Sequence, residues 1–295
     1  MTYSIVAIDP TCGALGVGVQ THRPAVGSIV PWVEAGVGAV ATQAQANIRF
    51  GRQALDLLSS SLSADQALRA ILAADEQPDI RQVAIVDAHG NSAVHTGGEC
   101  IPEHGSHQGQ SYSAQANMML NPGVPEAMGA AFEEAAGSLE ERIMAALDAG
   151  QGAGGDIRGM QSCAILVQAT EADRTPPSRD GANVDLRVDD APDPLAKMRG
   201  LLNIRHAEAL MHSPAAEESV EGARDAFERA SRLSPGDEIT FWYGVHSLSV
   251  NLGAHEEAVG VLKALFEREP NWRELLHRLP DLPAESPLRM AFPRE

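Results

Sequence analysis

Over the first two hundred positions, apolar residues recur in short runs whose period switches between two and about 3.6. Residues 3–8 form a β-rich apolar run that stops at Asp9-Pro10-Thr11-Cys12-Gly13, where proline and glycine signal a turn. Residues 15–21 resume the pattern, so the pair predicts an opening hairpin. Residues 27–33 and 36–41 predict two further strands around a Glu34-Ala35-Gly36 turn. The period then lengthens: one helix is predicted over 49–58, and Ser63 caps a second over 64–74. Residues 82–87 and 92–96 flank Ala88-His89-Gly90-Asn91, a hairpin turn, and 111–119 predicts another strand. Helical spacing returns over 125–136 and 139–149 and ends at the glycine tract 150–155. A buried strand over 162–168, a polar proline-rich loop over 170–183 and a strand over 184–188 follow. Asp193-Pro194 then opens a helix reaching Met211.

Runs of strands alternate with pairs of helices. That order predicts an α/β fold of four layers, αββα, with two stacked sheets between helix layers. A doubly wound parallel sheet would need single helical crossovers, which the order lacks. Beyond residue 212 only helical patterns occur, at 222–233, 239–252, 256–269 and 272–279. Ala223, Phe227 and Pro235 recur as Ala258, Leu262 and Pro270, an offset of 35 residues. This is close to the 34-residue period of tetratricopeptide repeats. The chain thus divides into an α/β domain, 1–212, and an all-α tetratricopeptide-like module, 213–295. Two copies fall short of the three that a free-standing array needs, so the module is expected to lean on the main domain or a second subunit.

The 295 residues carry 40 acidic and 22 basic side chains, a formal charge of −18, which disfavours phosphate backbones and excludes nucleic acid as the expected partner. No apolar run approaches the roughly 18 residues that cross a bilayer, so no membrane partner is expected. The strand pattern begins almost at Met1, so no secretory leader is expected. Cys12, Cys100 and Cys163 are odd in number and widely spaced, which fits unpaired thiols in a reducing compartment. The expected location is the cytoplasm.

Thr2 carries the sharpest chemical reading. Removal of Met1 leaves a hydroxyl and a free α-amine on one residue. The amine, with a reference pKa of about 8, accepts the hydroxyl proton near neutral pH. The plainer reading makes Thr2 the first residue of a strand. Gln43 and Asn47 lie where a strand gives way to a helix, suited either to donate to an oxyanion or to cap the helix. Asp156, Arg158 and Gln161 form a polar loop before a buried strand, read as substrate-binding, with a simple ion pair as the alternative. Gly150, Gly152 and Gly155 match G-x-G-x-x-G but follow a helix and precede a strand, the reverse of the dinucleotide context. His95, Glu99, Cys100, His104 and His107 fall within 13 residues, yet match no zinc pattern, so no metal and no cofactor are expected. Asp189, Asp190 and Asp193 read as caps of the following helix rather than calcium ligands.

Several segments together resemble the domain of unknown function 1028 family, grouped with the N-terminal-nucleophile hydrolases. They are residues 2–7 (TYSIVA), 25–32 (AVGSIVPW) and 35–44 (AGVGAVATQA), then His95-Thr96-Gly97 with residues 99–102 (ECIP), Gly154-Gly155-Asp156, Arg158-Gly159, Gln161-Ser162, 184–190 (VDLRVDD) and Pro192-Asp193-Pro194. The resemblance covers roughly residues 1–207. It implies a proteasome β-subunit-like arrangement, in which the strand bearing the nucleophile abuts a second strand with polar supports. Here that strand ends at Gln20-Thr21-His22-Arg23, whose side chains are expected to face Thr2. Proteasome-type sites use a lysine to assist the threonine. This chain has none before Lys197, which leaves His22 or Arg23 to substitute.

The leading functional expectation is an amidohydrolase that cleaves an amide or related C–N bond through Thr2, with His22 and Asn47 assisting and Gln43, Asp156, Arg158 and Gln161 holding a small-molecule or peptide-like amide. The alternative is a non-catalytic ligand-binding or assembly protein on the same fold. A zinc hydrolase built on the histidine-rich stretch ranks third. Self-association, as a dimer, is expected because related folds pair through their helix layers.

Overall fold

A computed structural model describes residues 2–169, 184–280 and 282–294. The expected loop at 170–183 lies outside the described residues. The chain divides into two units, Met1–Arg199 and Gly200–Glu295.

The first unit opens with the antiparallel pair β1 (Thr2–Asp9) and β2 (Ala14–Thr21). The expected strand at 27–33 begins later. Ala25 adopts φ 55° and residues Val26–Ser28 form a 3-10 turn, so the strand β3 is Pro31–Glu34 only. The run is apolar because Val26 and Val30 sink between the sheets, which a periodicity of two cannot distinguish from an extended strand. β4 (Gly38–Ala44) extends past its expected end to bring in Gln43. α1 (Arg49–Ser59) and α2 (Ala64–Ala73) follow, the latter with a complete capping box between Ser63 and Gln66.

Next come β5 (Arg81–Asp87), β6 (Ser92–Thr96), β7 (Gly105–Gly109) and β8 (Tyr112–Asn117). β7 has no counterpart among the expected elements. Its sequence, GSHQG, lacks apolar alternation because it is an edge strand held by backbone pairing to β8. α3 (Val124–Glu134), α4 (Leu139–Gly152), β9 (Ser162–Gln168), β10 (Val184–Val188) and α5 (Pro194–Met211) complete this part of the order. α4 starts at a Ser138–Glu141 capping box, and Asp193 accepts from the Ala196 N–H at the start of α5.

The strands build two antiparallel sheets, one of six in the order β10-β9-β2-β1-β8-β7 and one of four in the order β3-β4-β5-β6. The sheets face each other, β1 and β2 against β4 and β5 against β8, around an aliphatic core that includes Val6, Val17, Ala41 and Val86. α3 and α4 pack on the six-stranded sheet, while α1 and α2 pack on the four-stranded one over Val40, Phe50, Leu55 and Ile85. The fold class is therefore α/β with both sheets antiparallel.

The second unit, by itself, is helical. α6 (Pro214–Glu218), α7 (Val220–Leu233), α8 (Glu238–Val245), α9 (His255–Arg268), α10 (Asn271–Arg278) and α11 (Pro287–Ala291) pack mainly on chain neighbours, with a π-helical turn at His246–Asn251. The 35-residue offset maps α7 onto α9 end to end, and its repeated positions Ala223, Ala258 and Leu262 are all fully buried.

Candidate functional site

Along each central strand, the residues that point between the sheets change from aliphatic to polar toward one end. β1 reads Ile8, Val6, Ser4, Thr2; β4 reads Ala39, Ala41, Gln43; and β5 reads Val86, Ala84, Gln82. β8 contributes Ser113, Gln115 and Asn117, in register opposite Val6, Ser4 and Thr2. Every one of the polar members is buried. Buried amides need partners, and here they find one another.

Gln115 accepts from Ser113 through Oε1 (3.1 Å) and donates through Nε2 to the Ser4 hydroxyl (2.6 Å), which donates to Gln43 Oε1 (2.6 Å). Gln43 Nε2 donates to Gln82 Oε1 (2.7 Å), which also receives Asn117 Nδ2 (2.8 Å). Gln82 Nε2 donates onward to Thr96 Oγ1 (2.9 Å) and to the Ala116 carbonyl (2.9 Å). The chain of amides closes on the backbone of Thr2, whose carbonyl accepts from Gln43 Nε2 (3.3 Å) and Asn117 Nδ2 (3.5 Å).

Thr2 sits at the end of this network. Its hydroxyl donates to Thr21 Oγ1 at 3.2 Å, and the residue is 6% exposed. Both threonines border a cavity of about 70 Å³ with Gln43, Arg23 and Arg158, and Val26, Ile29 and Val30 also line it. Typical ligand pockets hold about 300–1,000 Å³, so this one is small by that standard. Backbone strain gathers around it. Ala25 (φ 55°), Ala44 (φ 65°) and Met118 (φ 59°) take left-handed conformations, and each either borders the cavity or adjoins a residue of the site. Such conformations cost about 1–3 kcal/mol apiece and concentrate at functional sites.

The loop before β9 is tied down by Asp156. Its fully buried side chain accepts from the backbone N–H groups of His22 (3.0 Å) and Arg158 (3.0 Å) and from the Arg158 guanidinium through Nε (3.0 Å) and Nη2 (2.7 Å). Burial pushes the Asp156 carboxyl up, but the hydrogen bonds and charge of Arg158, with the His22 N–H, outweigh it and hold the group below the ordinary carboxylate range.

The structure thus brings Thr2, Gln43 and Arg158 to one cavity, with Asp156 fixing Arg158. Gln43 spends its amide on Ser4, Gln82 and the Thr2 carbonyl. His22 is exposed, its Nδ1 3.2 Å from the Met160 carbonyl, and it does not border the cavity. Strand alternation sends Thr21 toward Thr2 and turns Gln20 to the opposite face, in register with Tyr3 and Cys163. Asn47 donates to Asp75 (3.0 Å) and accepts from the Arg49 N–H (3.3 Å) at the start of α1. Gln161 donates to Asp190 (3.0 Å), away from Thr2.

Ser4, Gln82, Gln115 and Asn117 escaped the sequence reading. Their signal was present in the alternation of Ser113, Gln115 and Asn117 with alanine along a buried strand. In the histidine-rich stretch, His95 Nε2 lies 2.9 Å from the Pro78 carbonyl and Cys100 donates to the Arg81 carbonyl. Among the described residues, no cluster of three or more His, Cys, Asp or Glu is placed to hold a metal. Nor is any helix among them long and apolar enough to cross a membrane. A larger groove of about 470 Å³ between the α1–α2 connection and the β5–β6 turn centres on Asp87. That carboxylate accepts from the N–H groups of Ala64, His89 and Asn91 and from Asn91 Nδ2, a turn-stabilising arrangement.

Comparison with known proteins identifies the family. The family described as "Family of unknown function (DUF1028)" matches residues 2–198. The chain belongs to the DUF1028 family. A crystal structure of a DUF1028 protein from Silicibacter pomeroyi is 32% identical and superposes with a TM-score of 0.61, covering 68% of this chain and 87% of that one. Among curated proteins, none matches the chain. The DUF1028 match spans the Thr2 cavity, the amide network and the Asp156 loop, and leaves residues 199–295 outside it.

Proposed function

We propose that this DUF1028 protein is an amidohydrolase of the N-terminal-nucleophile type, with the first unit as the four-layer αββα sandwich of that class. The observation that carries the reading is the placement of Thr2. A strand-terminal threonine next to the chain start borders a cavity and bonds to a second threonine, and its backbone is held by two buried amides.

With Met1 removed, the α-amine of Thr2 takes the hydroxyl proton as Oγ1 attacks the carbonyl carbon of a bound amide. The tetrahedral intermediate collapses as the C–N bond breaks, and the amine nitrogen leaves with the proton the α-amine had taken. The acyl group remains as an ester on Thr2; water, deprotonated by the same amine, then attacks the acyl carbon, the bond to Oγ1 breaks, and the amine returns its proton to Oγ1 as the acid leaves. Gln43 and Asn117 are positioning residues in this scheme, because they fix the Thr2 carbonyl and with it the hydroxyl. The oxyanion donors expected at Gln43 and Asn47 are not assigned, since Gln43 Nε2 faces the network and Asn47 faces Asp75. The helices α7 to α10 are read as two tetratricopeptide-like hairpins.

Protein with its N-terminus verified by intact mass is screened against a library of small amides. Thr2→Ala is expected to lower kcat/KM by at least about 10³-fold, as removal of a nucleophile does. Retained Met1 in an active preparation, or full activity in Thr2→Ala, would overturn Thr2 as the nucleophile, and binding without turnover of any amide would leave a non-catalytic ligand-binding protein in its place.

A further inference from the structure

The charge pattern of the Thr2 cavity is the opposite of the whole chain's. Over 295 residues, 40 acidic side chains face 22 basic ones, yet the cavity is bordered by two arginines, Arg23 and Arg158, and by no aspartate or glutamate. The two arginines differ. Arg158 is held by the buried carboxylate of Asp156, so its charge is compensated and its geometry fixed. Arg23 is exposed, and among the described residues no carboxylate pairs with its guanidinium. Its backbone is anchored, since the carbonyl accepts from Ser162 Oγ (2.5 Å) in the first position of β9. Val26, Ile29 and Val30 border the same cavity.

We infer that Arg23 receives a carboxylate on the substrate, so that the cavity selects short aliphatic amides bearing a free carboxylate over neutral amides of the same shape. This rests on the reading of Thr2 as the nucleophile. Three physical arguments carry it. A guanidinium presents paired N–H donors that match a carboxylate, which gives orientation as well as attraction. Val26, Ile29 and Val30 offer an apolar surface that suits the short aliphatic part of the substrate. The acidic remainder of the surface repels anions, so an anionic substrate is drawn to a cavity bordered by two cations and no carboxylate. The volume of about 70 Å³ sets the size: the acyl end fits beside Thr2, while the carboxylate lies outward at exposed Arg23.

The test uses the full chain and a matched pair of probes, N-acetyl-L-alanine and N-isopropylacetamide, which differ by a carboxylate in place of a methyl group. Binding is read by saturation-transfer NMR and turnover by release of acetate. In the wild-type protein the carboxylate probe is expected to be favoured by about 10- to 100-fold, the range of a hydrogen bond to a charged group. Arg23→Gln is expected to collapse that ratio toward one, and Arg23→Lys to restore part of it. Equal treatment of the two probes, a preference that survives Arg23→Gln, or no binding of either probe overturns the inference, whether or not other amides are cleaved. If the carboxylate probe binds and its preference collapses in Arg23→Gln while no amide is ever hydrolysed, the anion site stands and the nucleophile reading fails.

Discussion

Asp156 shows how one residue can organise a site it does not border. Two backbone N–H groups and a guanidinium converge on it, and they come from the end of β2 and from the loop before β9. Because its carboxyl titrates below the ordinary range in the folded chain, it adds stability that is complete above the unfolded value of about 3.9. That contribution is lost as the pH falls through the depressed folded value. Asp156→Asn is therefore expected to lower stability at pH 7 by about 2–3 kcal/mol, since it leaves Arg158 without its counter-charge. Denaturant melts across pH 2–7 check the sign: the wild-type curve falls steeply below about pH 4, the variant's falls less, and the two converge in acid.

Elements enter through the amide network, which no single strand contains. β1, β4 and β5 contribute one or two polar side chains each and β8 three, and Gln82 links β4 to β8. Its Oε1 receives Gln43 and Asn117, and its Nε2 reaches Thr96, Gly105 and Ala116. Gln82→Ala strands buried donors on both neighbours, so it is expected to cost about 2–4 kcal/mol and to lower the melting temperature. Loss of activity beyond the loss of folded protein, measured well below that melting temperature, would show that the network also positions Thr2. The element boundaries were legible where caps and turns are local. Ser63 and Asp193 mark helix starts, and Ala88-His89-Gly90-Asn91 marks a turn. They were illegible where tertiary packing supplies the order. The apolar run at 26–30 curls into a 3-10 turn because its side chains are swallowed between sheets. The polar run 105–109 becomes a strand because β8 offers it an edge.

At the scale of the molecule, the three thiols report the division between surface and interior. Cys12 is exposed in the β1–β2 turn, while Cys100 and Cys163 are buried. Burial pushes both buried thiols above their ordinary pKa; for Cys100 the Gly97 hydrogen bond opposes it, and for Cys163 the Asp148 charge adds to it. A thiol reagent at pH 8 is expected to label one cysteine per native chain within minutes and the remaining two only on unfolding. Mass spectrometry of the labelled peptides identifies Cys12 as the first. Early labelling of Cys163 would show that the six-stranded sheet opens at β9.

The sequence by itself determined what depends on neighbours along the chain. That includes the alternation that splits each strand into two faces, the capping residues that start the helices, and the repeat that relates α7 to α9. Tertiary structure alone decided which polar faces meet. Ser4, Gln43, Gln82, Gln115 and Asn117 are separated by up to 113 residues, and alternation says only which side of a strand each occupies. A buried amide is tolerated where another amide completes it, and that partner is chosen by how two sheets stack. Tertiary structure likewise put Arg23 on the cavity that Thr2 borders and left His22 off it.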